Sequence, residues 1–194
     1  MRDSTRVGVP ALPSAAAGFP PVARVDAGCL VLGSLPGRRS LEAGEYYAHP
    51  RNAFWRIMGE VAGAGPELPY PGRLERLVEA RIALWDVLAS SERPGSLDAA
   101  IRRDSAVPND FAAFLGAHAR IQCICFNGQA AASLFSRLVA NEAGVPLSGI
   151  RLVTLPSTSP AHAALPFEAK LGHWADALRP VIRNHSSSPG AGHQ

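Results

Sequence analysis

The sequence predicts an α/β fold: a three-layer α/β/α sandwich around a central, mainly parallel sheet of four strands. Two observations lead to this prediction. Short, continuously apolar runs, which are typical of strands buried on both faces, recur along the chain. Between them lie longer segments whose apolar residues recur at helical spacing. Alternating strands and helices favour right-handed crossovers that cover both faces of a parallel sheet, although strand order does not follow from this pattern.

Four apolar runs are the strand candidates. Each of the four is followed by turn-forming or polar residues, and the residue that follows the first run is Gly33. The runs are Cys29–Leu32, Ile82–Trp85, Ile121–Phe126 and Leu152–Leu155.

Helices are predicted in the segments between these runs. The clearest one places Ala131, Leu134, Phe135 and Leu138 on one face. Asn109 is the expected N-cap of another helix, which carries phenylalanine side chains. The predicted helices cover residues 52–61, 73–80, the segment after Asn109, residues 129–141 and residues 166–178.

The length of 194 residues suits a single domain, predicted to cover residues 23–184. Residues 1–22 lack periodicity and are interrupted by prolines, so we expect a flexible leader there. Residues 185–194 are rich in Ser, Gly and Pro and are the expected flexible tail. No apolar run approaches the roughly 20 residues that a membrane span needs, so no membrane association is expected.

Charge and cysteine content constrain the function only weakly. The net charge of +3 is compatible with a polyanionic partner without requiring one, and all but one of the 19 basic residues are arginine. Cys29, Cys123 and Cys125 form no CxxC motif and fall in apolar runs, which predicts small buried side chains in a reducing compartment. No cysteine or histidine spacing predicts a zinc site or an iron–sulfur cluster, so neither a metal nor another cofactor is expected.

The ends of the four predicted strands are the expected position of a ligand site, because ligands of open parallel sheets bind outside the carboxyl ends of the strands. Turn-forming and hydrogen-bonding residues gather there. They are Gly33 to Gly37, Asp86, Asn127 with Gly128, and Pro156 to Pro160.

The motifs at these strand ends resemble those of a known family. The run LGSLPGRRSLEAGEYYAHPRNAFW, from Leu32 to Trp55, is similar to the first motif of the mismatch-specific branch of the uracil-DNA glycosylase superfamily. Its form GSLPG…YYAHPRNAFW resembles the deoxyinosine DNA glycosylases more closely, and IALWDVL, FNG and LPSTSPA follow in that family's order. The resemblance runs from about Cys29 to Trp174 and implies the fold predicted above.

The resemblance implies a monofunctional DNA glycosylase that hydrolyses the N-glycosidic bond of a deaminated base, with hypoxanthine as the first expectation. Its partner would be DNA containing such a base, bound by a monomer in the cytoplasm at the nucleoid. Leu35 and Leu155 stand where classical uracil excisers carry polar residues, which favours hypoxanthine. Uracil excision from the same site and a non-catalytic lesion-binding module remain alternatives. An esterase using Ser34 would need a G-x-S-x-G motif, which is lacking.

Asn52 is implied by the resemblance as the residue that positions the attacking water, since a carboxamide both donates and accepts hydrogen bonds. A simple helix cap is the alternative at this position. Tyr47 is implied as the ring that stacks on the flipped base, with Tyr46 as buried structure. The substrate-binding residues expected are Gly33, Ser34, Leu35, Pro36, Tyr47, Asp86 and Asn127.

Asp86 falls where the superfamily reads the base edge, although a salt bridge or a cap at the strand end is an equal alternative. Asn127 is either a second base contact or part of a tight turn. The segment from Pro156 to Pro160 corresponds to the loop that presses on the DNA backbone. The residues expected to bind DNA are Ser157, Thr158, Ser159, Pro160 and His162.

Overall fold

The computed structural model describes residues 15–92, 101–102 and 104–186. Strands and helices alternate through most of this part of the chain. The strands are β1 (Ala15–Ala17), β2 (Cys29–Gly33), β3 (Ile82–Asp86), β4 (Leu88–Glu92), β5 (Val107–Pro108), β6 (Cys123–Asn127) and β7 (Arg151–Leu155). The α-helices are α1 (Arg38–Ala43), α2 (Phe54–Ala62), α3 (Tyr70–Glu79), α4 (Phe111–Ala117), α5 (Gln129–Leu138) and α6 (Phe167–Ser186), and a 3-10 turn covers Pro160–His162.

The central sheet has the strand order β3-β2-β6-β7, and all its neighbouring strands are parallel. Every residue of β2, β3 and β6 is buried, whereas β7 lies at the edge and is largely exposed. The predicted α/β/α sandwich with four parallel strands is therefore confirmed.

Side chains that alternate along β2 enter two separate apolar layers. Leu30 and Leu32 join the layer that contains residues of α4 and α5. Cys29 and Val31 join the layer that contains residues of α2, α3 and α6. This alternation is the period of two that a strand imposes, and it explains why strands covered on both faces are continuously apolar in sequence.

Helix bounds differ from the predicted ones at several ends. Helix α3 begins at Tyr70 with a proline in its first turn, and α5 ends at Leu138. Helix α6 continues to Ser186 despite Pro180 in its interior. Helix α1, which was not predicted, ends at Gly44 with a φ of 67°, a left-handed conformation that glycine adopts without steric cost.

The prediction that Asn109 caps α4 is wrong. The cap is Asp110, whose side chain accepts a hydrogen bond from the backbone N–H of Ala113 at 2.9 Å. Asn109 instead donates from Nδ2 to the carbonyl of Asp86 at 2.9 Å. Both residue types satisfy the backbone groups of a helix end, so the sequence pattern does not separate the two roles.

A second, antiparallel sheet with the order β1-β4-β5 lies beside the main one. Ala15–Ala17 pairs with β4, and Val22 exchanges backbone hydrogen bonds of 2.9 and 2.8 Å with Leu84. Residues 15–22, which were expected to belong to the flexible leader, are therefore paired with the domain. The remaining predicted leader, residues 1–14, and most of the predicted tail, residues 187–194, lie outside the described residues.

Among the helices of the described residues, none has the length and apolar character needed to cross a membrane.

Candidate active site

A cavity of about 870 Å³ opens at the carboxyl ends of β2, β3 and β6. Its walls come from the segment after β2, from the start of α5 and from the loop after β7. The parallel sheet brings these distant segments together, because the carboxyl ends of its strands meet at one edge. Every residue that was expected to position the water, bind the substrate or bind DNA lines this cavity, whereas Gly128 and Pro156 of the strand-end segments do not.

Gly33 provides the space at the centre of the site. It pairs in register with Asp86 across β2 and β3. A Cβ atom built on Gly33 would overlap the carboxylate of Asp86 and would lie 3.2 Å from the hydroxyl oxygen of Tyr47. The absence of a side chain at this position thus lets two polar groups from different segments approach one point, and Asp86 is only 3% exposed.

The two adjacent tyrosines have different positions. Tyr46 is 3% exposed, and its carbonyl accepts a hydrogen bond of 2.8 Å from the indole N–H of Trp55. Burial, and then the negative charge of Asp86, raise the pKa of Tyr46 above its ordinary value. Tyr47 is half-buried at the cavity wall, where its ring stacks on Phe54 with centroids 4.0 Å apart. The backbone of Tyr47 has a φ of 54°, which is uncommon for a residue with a side chain.

Asn52 supports the start of α2 and also lines the cavity. Its Oδ1 accepts a hydrogen bond of 3.0 Å from the backbone N–H of Phe54, the first residue of α2. The residue immediately before the helix is Ala53, so Asn52 supports the helix start from one position further out. Asn52 also lines the cavity, and within the described part of the chain no hydrogen bond is formed by its Nδ2 group. A carboxamide oxygen has a second lone pair, so binding to the helix leaves it able to hold a water.

The loop after β7 is held by a reciprocal pair of hydrogen bonds. Asn127 donates from Nδ2 to Oγ1 of Thr158, and the backbone N–H of Thr158 donates to Oδ1 of Asn127, both at 2.8 Å. The carbonyl of Thr158 also accepts from the N–H of Ala53 at 3.0 Å. Thr158 is 1% exposed. Asn127 and Thr158 therefore hold each other in place while both line the cavity, and the DNA contact of Thr158 and the base contact of Asn127 stay predictions.

Two side chains of α6, which sequence reasoning missed, bind backbone carbonyls of the same segment. The indole N–H of Trp174 donates to the carbonyl of Pro156 at 3.0 Å. The ammonium group of Lys170 donates to the carbonyl of His162 at 2.8 Å. Lys170 is only 6% exposed, and burial lowers its pKa. The one available signal in the sequence was that Lys170 is the single lysine among 19 basic residues.

The remaining predicted residues of the loop stay accessible. Ser157 and Ser159 are half-buried, and His162 is exposed at the end of the 3-10 turn. Ser159 caps that turn, since its hydroxyl accepts a hydrogen bond of 3.3 Å from the N–H of Ala161. These three side chains line the cavity.

The two leucines that favoured hypoxanthine differ in position. Leu35 lines the cavity and is 5% exposed, so it forms an apolar part of the wall. Leu155 is buried in the apolar layer that contains residues of α2 and α6, and it is not among the lining residues. Only Leu35 is therefore placed to affect what the cavity binds.

Exposed arginines border the cavity, and sequence reasoning did not single them out. They are Arg38, Arg39, Arg51 and Arg137. Asp86 is the single acidic residue among the described lining residues, and it is buried. Arg38 is paired with Glu42 at 2.7 Å, and the other three arginines still give the outer part of the cavity an excess of positive charge.

Comparison with known proteins identifies the family of this fold and cavity. A sequence model of the uracil DNA glycosylase superfamily matches residues 20–178. The chain belongs to the uracil DNA glycosylase superfamily. The match includes all four strand-end segments that build the cavity. The protein is therefore a DNA glycosylase, and its substrate is DNA.

Individual relatives agree with this family. A protein from Methanosarcina barkeri named hypoxanthine DNA glycosylase is 37% identical over 113 residues, which is 58% of this chain and 70% of the relative. One of the same name from Methanosarcina acetivorans is 37% identical over 115 residues, 59% of this chain and 72% of that protein. The solution NMR structure of a candidate uracil DNA glycosylase from Methanosarcina acetivorans has a TM-score of 0.71 at 30% identity, and the match covers 87% of this chain and 99% of that one.

The cavity of this glycosylase is lined by an aromatic ring and by a buried carboxylate. The ring is that of Tyr47 and the carboxylate is that of Asp86, and they come from different segments of the chain.

Proposed function

We propose that this glycosylase excises hypoxanthine from deoxyinosine in DNA by hydrolysis of the N-glycosidic bond, and that it leaves an abasic site. The observation that carries the proposal is the apolar cavity wall at Leu35, in the third position of the GSLPG motif. Leucine neither orients a water nor hydrogen-bonds a base, so the polar function that classical uracil excisers place there is missing. The two relatives named hypoxanthine DNA glycosylase support the same substrate.

Tyr47 is the proposed platform for the extruded base. Its ring is supported on one side by Phe54 at 4.0 Å, which fixes the orientation of the stacking surface before DNA binds. Stacking on a preorganised aromatic ring stabilises an unstacked base without sequence preference. The neighbouring Tyr46 contributes through packing, since it is buried and holds Trp55.

Asp86 is the proposed reader of the base edge. Hypoxanthine carries an N1–H donor, and an ionised carboxylate is an acceptor with two oxygens. Adenine has an unprotonated N1 at the same place, which would face the carboxylate lone pairs without a hydrogen. A carboxylate beside Gly33 therefore favours the deaminated purine over the normal one.

Asn52 is the proposed residue that positions the water. The water oxygen bonds to the anomeric carbon as the glycosidic C–N bond breaks, and the departing base takes up the proton that the water loses. Glycosidic bonds break through an oxocarbenium-like sugar, which neighbouring DNA phosphates stabilise. The single lysine of the chain, Lys170, is buried and bound to the carbonyl of His162, so we propose hydrolysis rather than a Schiff-base lyase step.

The exposed side chains of the loop after β7 are proposed to contact the DNA backbone. Ser157, Ser159 and Pro160 lie at the cavity mouth, and His162 is exposed beside them. Ser34 and Pro36 form another part of the cavity wall. One chain supplies all these residues, and we propose that the glycosylase acts as a monomer, which sedimentation of the protein with lesion DNA would test.

The test is a cleavage assay on matched duplex oligonucleotides that carry deoxyinosine, deoxyuridine or no lesion, with hot alkali to break abasic sites. We expect strand breaks mainly at deoxyinosine, and only after alkali. Asn52→Ala, purified in the same way, controls for contaminating glycosylases. Cleavage mainly at deoxyuridine would contradict the assignment to hypoxanthine, and breaks without alkali would contradict hydrolysis alone.

A further inference from the structure

The three cysteines of the chain converge in the core, and we call Cys29, Cys123 and Cys125 the thiol cluster. The Sγ atoms of Cys29 and Cys125 are 3.7 Å apart, and those of Cys123 and Cys125 are 3.6 Å apart. All three sulfur atoms lie within 4.8 Å of one another. No part of the proposed excision chemistry uses these side chains.

The parallel sheet creates this arrangement. Cys29 of β2 pairs directly with Cys123 of β6, and Cys125 lies two residues further along the same face. All three side chains are at most 2% exposed. Cys29 and Cys123 begin their strands, about 13 Å from the carboxyl ends where the cavity lies, and Cys125 is two residues, about 7 Å, from the end of β6. None of the three lines the cavity. The thiol cluster is therefore a separate site from the one that binds DNA.

The sulfur spacing fits one metal ion at the centre of the triangle. Metal–sulfur bonds of about 2.3 Å would place three sulfurs of a trigonal site about 4.0 Å from one another. Two of the three separations here are slightly shorter than that value, and the third is at most 4.8 Å. Rotation of the side chains about χ1, with sulfur displacements of less than about 1 Å, would therefore complete the site without a change in the backbone.

The donor set selects the type of ion. Thiolates are soft ligands, which favour Cu(I) among the metals of cells, whereas Zn²⁺ in closed sites takes four ligands in a tetrahedron. In the described part of the chain this group consists of three cysteines without a fourth cysteine, histidine or carboxylate. The guanidinium of Arg151 lies 3.7 Å from the sulfur of Cys123. Its positive charge there offsets part of the negative charge of the thiolates.

We propose that the thiol cluster binds one Cu(I) ion per chain through the three cysteine sulfur atoms. Arg151 is an exposed residue of the edge strand, so movement of its side chain opens a route to Cys123. Thiol protons leave as the ion binds, and the metal enters already as Cu(I), so no oxidant or reductant takes part. Because the site joins β2 to β6, the bound ion also cross-links two central strands.

The test uses the full chain, reduced and oxygen-free, titrated with Cu(I) against a chromophoric Cu(I) chelator. We expect one ion per chain by native mass spectrometry, near-ultraviolet thiolate-to-copper absorption and a higher melting temperature. Cys29→Ala, Cys123→Ala and Cys125→Ala should each weaken binding by about 100-fold or more. Met58→Leu is the matched control, since it removes a buried sulfur of the same apolar layer while it preserves volume, and it should bind as the wild type does.

Single serine replacements at the same positions retain the side-chain volume if an alanine variant fails to fold. Cu(I) binding that survives the loss of one cysteine at wild-type affinity would overturn the proposal. The same conclusion would follow if the wild-type protein, with all three thiols shown to be reduced after unfolding, bound no Cu(I) or bound Zn²⁺ more tightly.

Discussion

At the scale of single residues, Gly33 has the largest effect on the shape of the site. The Asp86 carboxylate and the Tyr47 hydroxyl both approach the position that a Cβ atom would occupy. The glycine is needed here for space rather than for backbone freedom, since it lies within the regular strand β2.

Gly33→Ala is expected to lower kcat/KM on deoxyinosine DNA by about 100-fold, because misplacement of a site group by about 1 Å costs that much. Steady-state kinetics on the duplex substrate provide the measurement. Gly116→Ala is the matched control, since a Cβ there meets nothing within 4 Å. Equal effects of the two variants would show that the contacts around Gly33 do not matter.

Asn52→Asp and Asn52→Ala separate the two roles of Asn52. The aspartate keeps an oxygen that accepts from the N–H of Phe54, whereas alanine loses it. We expect both variants to lose about 100-fold in turnover through a misplaced water. Only Asn52→Ala should also lose about 1 kcal/mol of unfolding free energy, measured in urea. If Asn52→Ala kept wild-type turnover, support of the helix would be the whole role of this residue.

Tyr47→Ala should weaken binding to deoxyinosine DNA by about 1–3 kcal/mol, the range for loss of one stacked base. Binding to undamaged duplex should change little, because phosphate contacts dominate it. Fluorescence anisotropy on both duplexes, in an Asn52→Ala background to prevent cleavage, measures the difference. Tyr47→Phe is the control and keeps the ring. A parallel loss on both duplexes would disprove the stacking role.

At the scale of elements, the loop after β7 is positioned by three parts of the fold. Asn127 at the end of β6 binds Thr158, and Trp174 and Lys170 of α6 bind the carbonyls of Pro156 and His162. The backbone N–H of Ala53, just before α2, adds a further bond to Thr158. A loop held at both ends and in its middle keeps its geometry when DNA presses on it.

Lys170→Met is expected to remove one of these supports and with it a pH dependence of stability. Burial lowers the pKa of Lys170 in the folded state, so the unfolded chain binds more protons between that pKa and 10.5. The contribution of Lys170 to the free energy of unfolding therefore rises with pH across this interval. Urea midpoints from pH 7 to pH 10 should show a smaller rise in Lys170→Met than in the wild type, together with weaker binding of lesion DNA.

Arg179→Met is the control for Lys170→Met, because Arg179 is an exposed cation of the same helix. It should keep the wild-type pH dependence and DNA binding. An identical response of the two variants would show that the buried ammonium has no special part in holding the loop.

At the scale of the whole molecule, the net charge of +3 understates the potential at the cavity. Four exposed arginines border the cavity, whereas its one acidic lining residue is buried. Concentration of positive charge at one face makes a modest overall charge sufficient for contact with DNA.

Replacement of Arg39 or Arg137 by glutamine should therefore weaken binding to undamaged duplex at every sequence and lower the slope of log affinity against log salt by about 1 each. Binding isotherms from 50 to about 200 mM salt measure the slope. Arg76→Gln, a change on α3 outside the cavity, should leave it unchanged. If the slope of log affinity against log salt were the same for the Arg39, Arg137 and Arg76 variants, DNA would bind to a surface other than this cavity.

The sequence by itself determined the order of the main elements and the residues that meet at the strand ends. Continuous apolar runs and helical periodicity are local properties, and parallel strands oblige the segments after them to share one edge of the sheet. For this reason Gly33 and Asp86 could be placed at one cavity before its shape was known, whereas Tyr47 and Asn52 were placed there by the resemblance of the motifs to the glycosylase family.

Only the tertiary structure decided which of those groups face the cavity and which hold one another. The pairs Asn127–Thr158 and Lys170–His162, and the convergence of Cys29 with Cys123 and Cys125, each join segments that no local pattern connects. The short sheet of β1, β4 and β5 escaped prediction for the same reason, since its pairing satisfies backbone groups without an apolar period. Periodicity reports which way a residue faces, whereas the partner of a polar side chain depends on how distant segments pack.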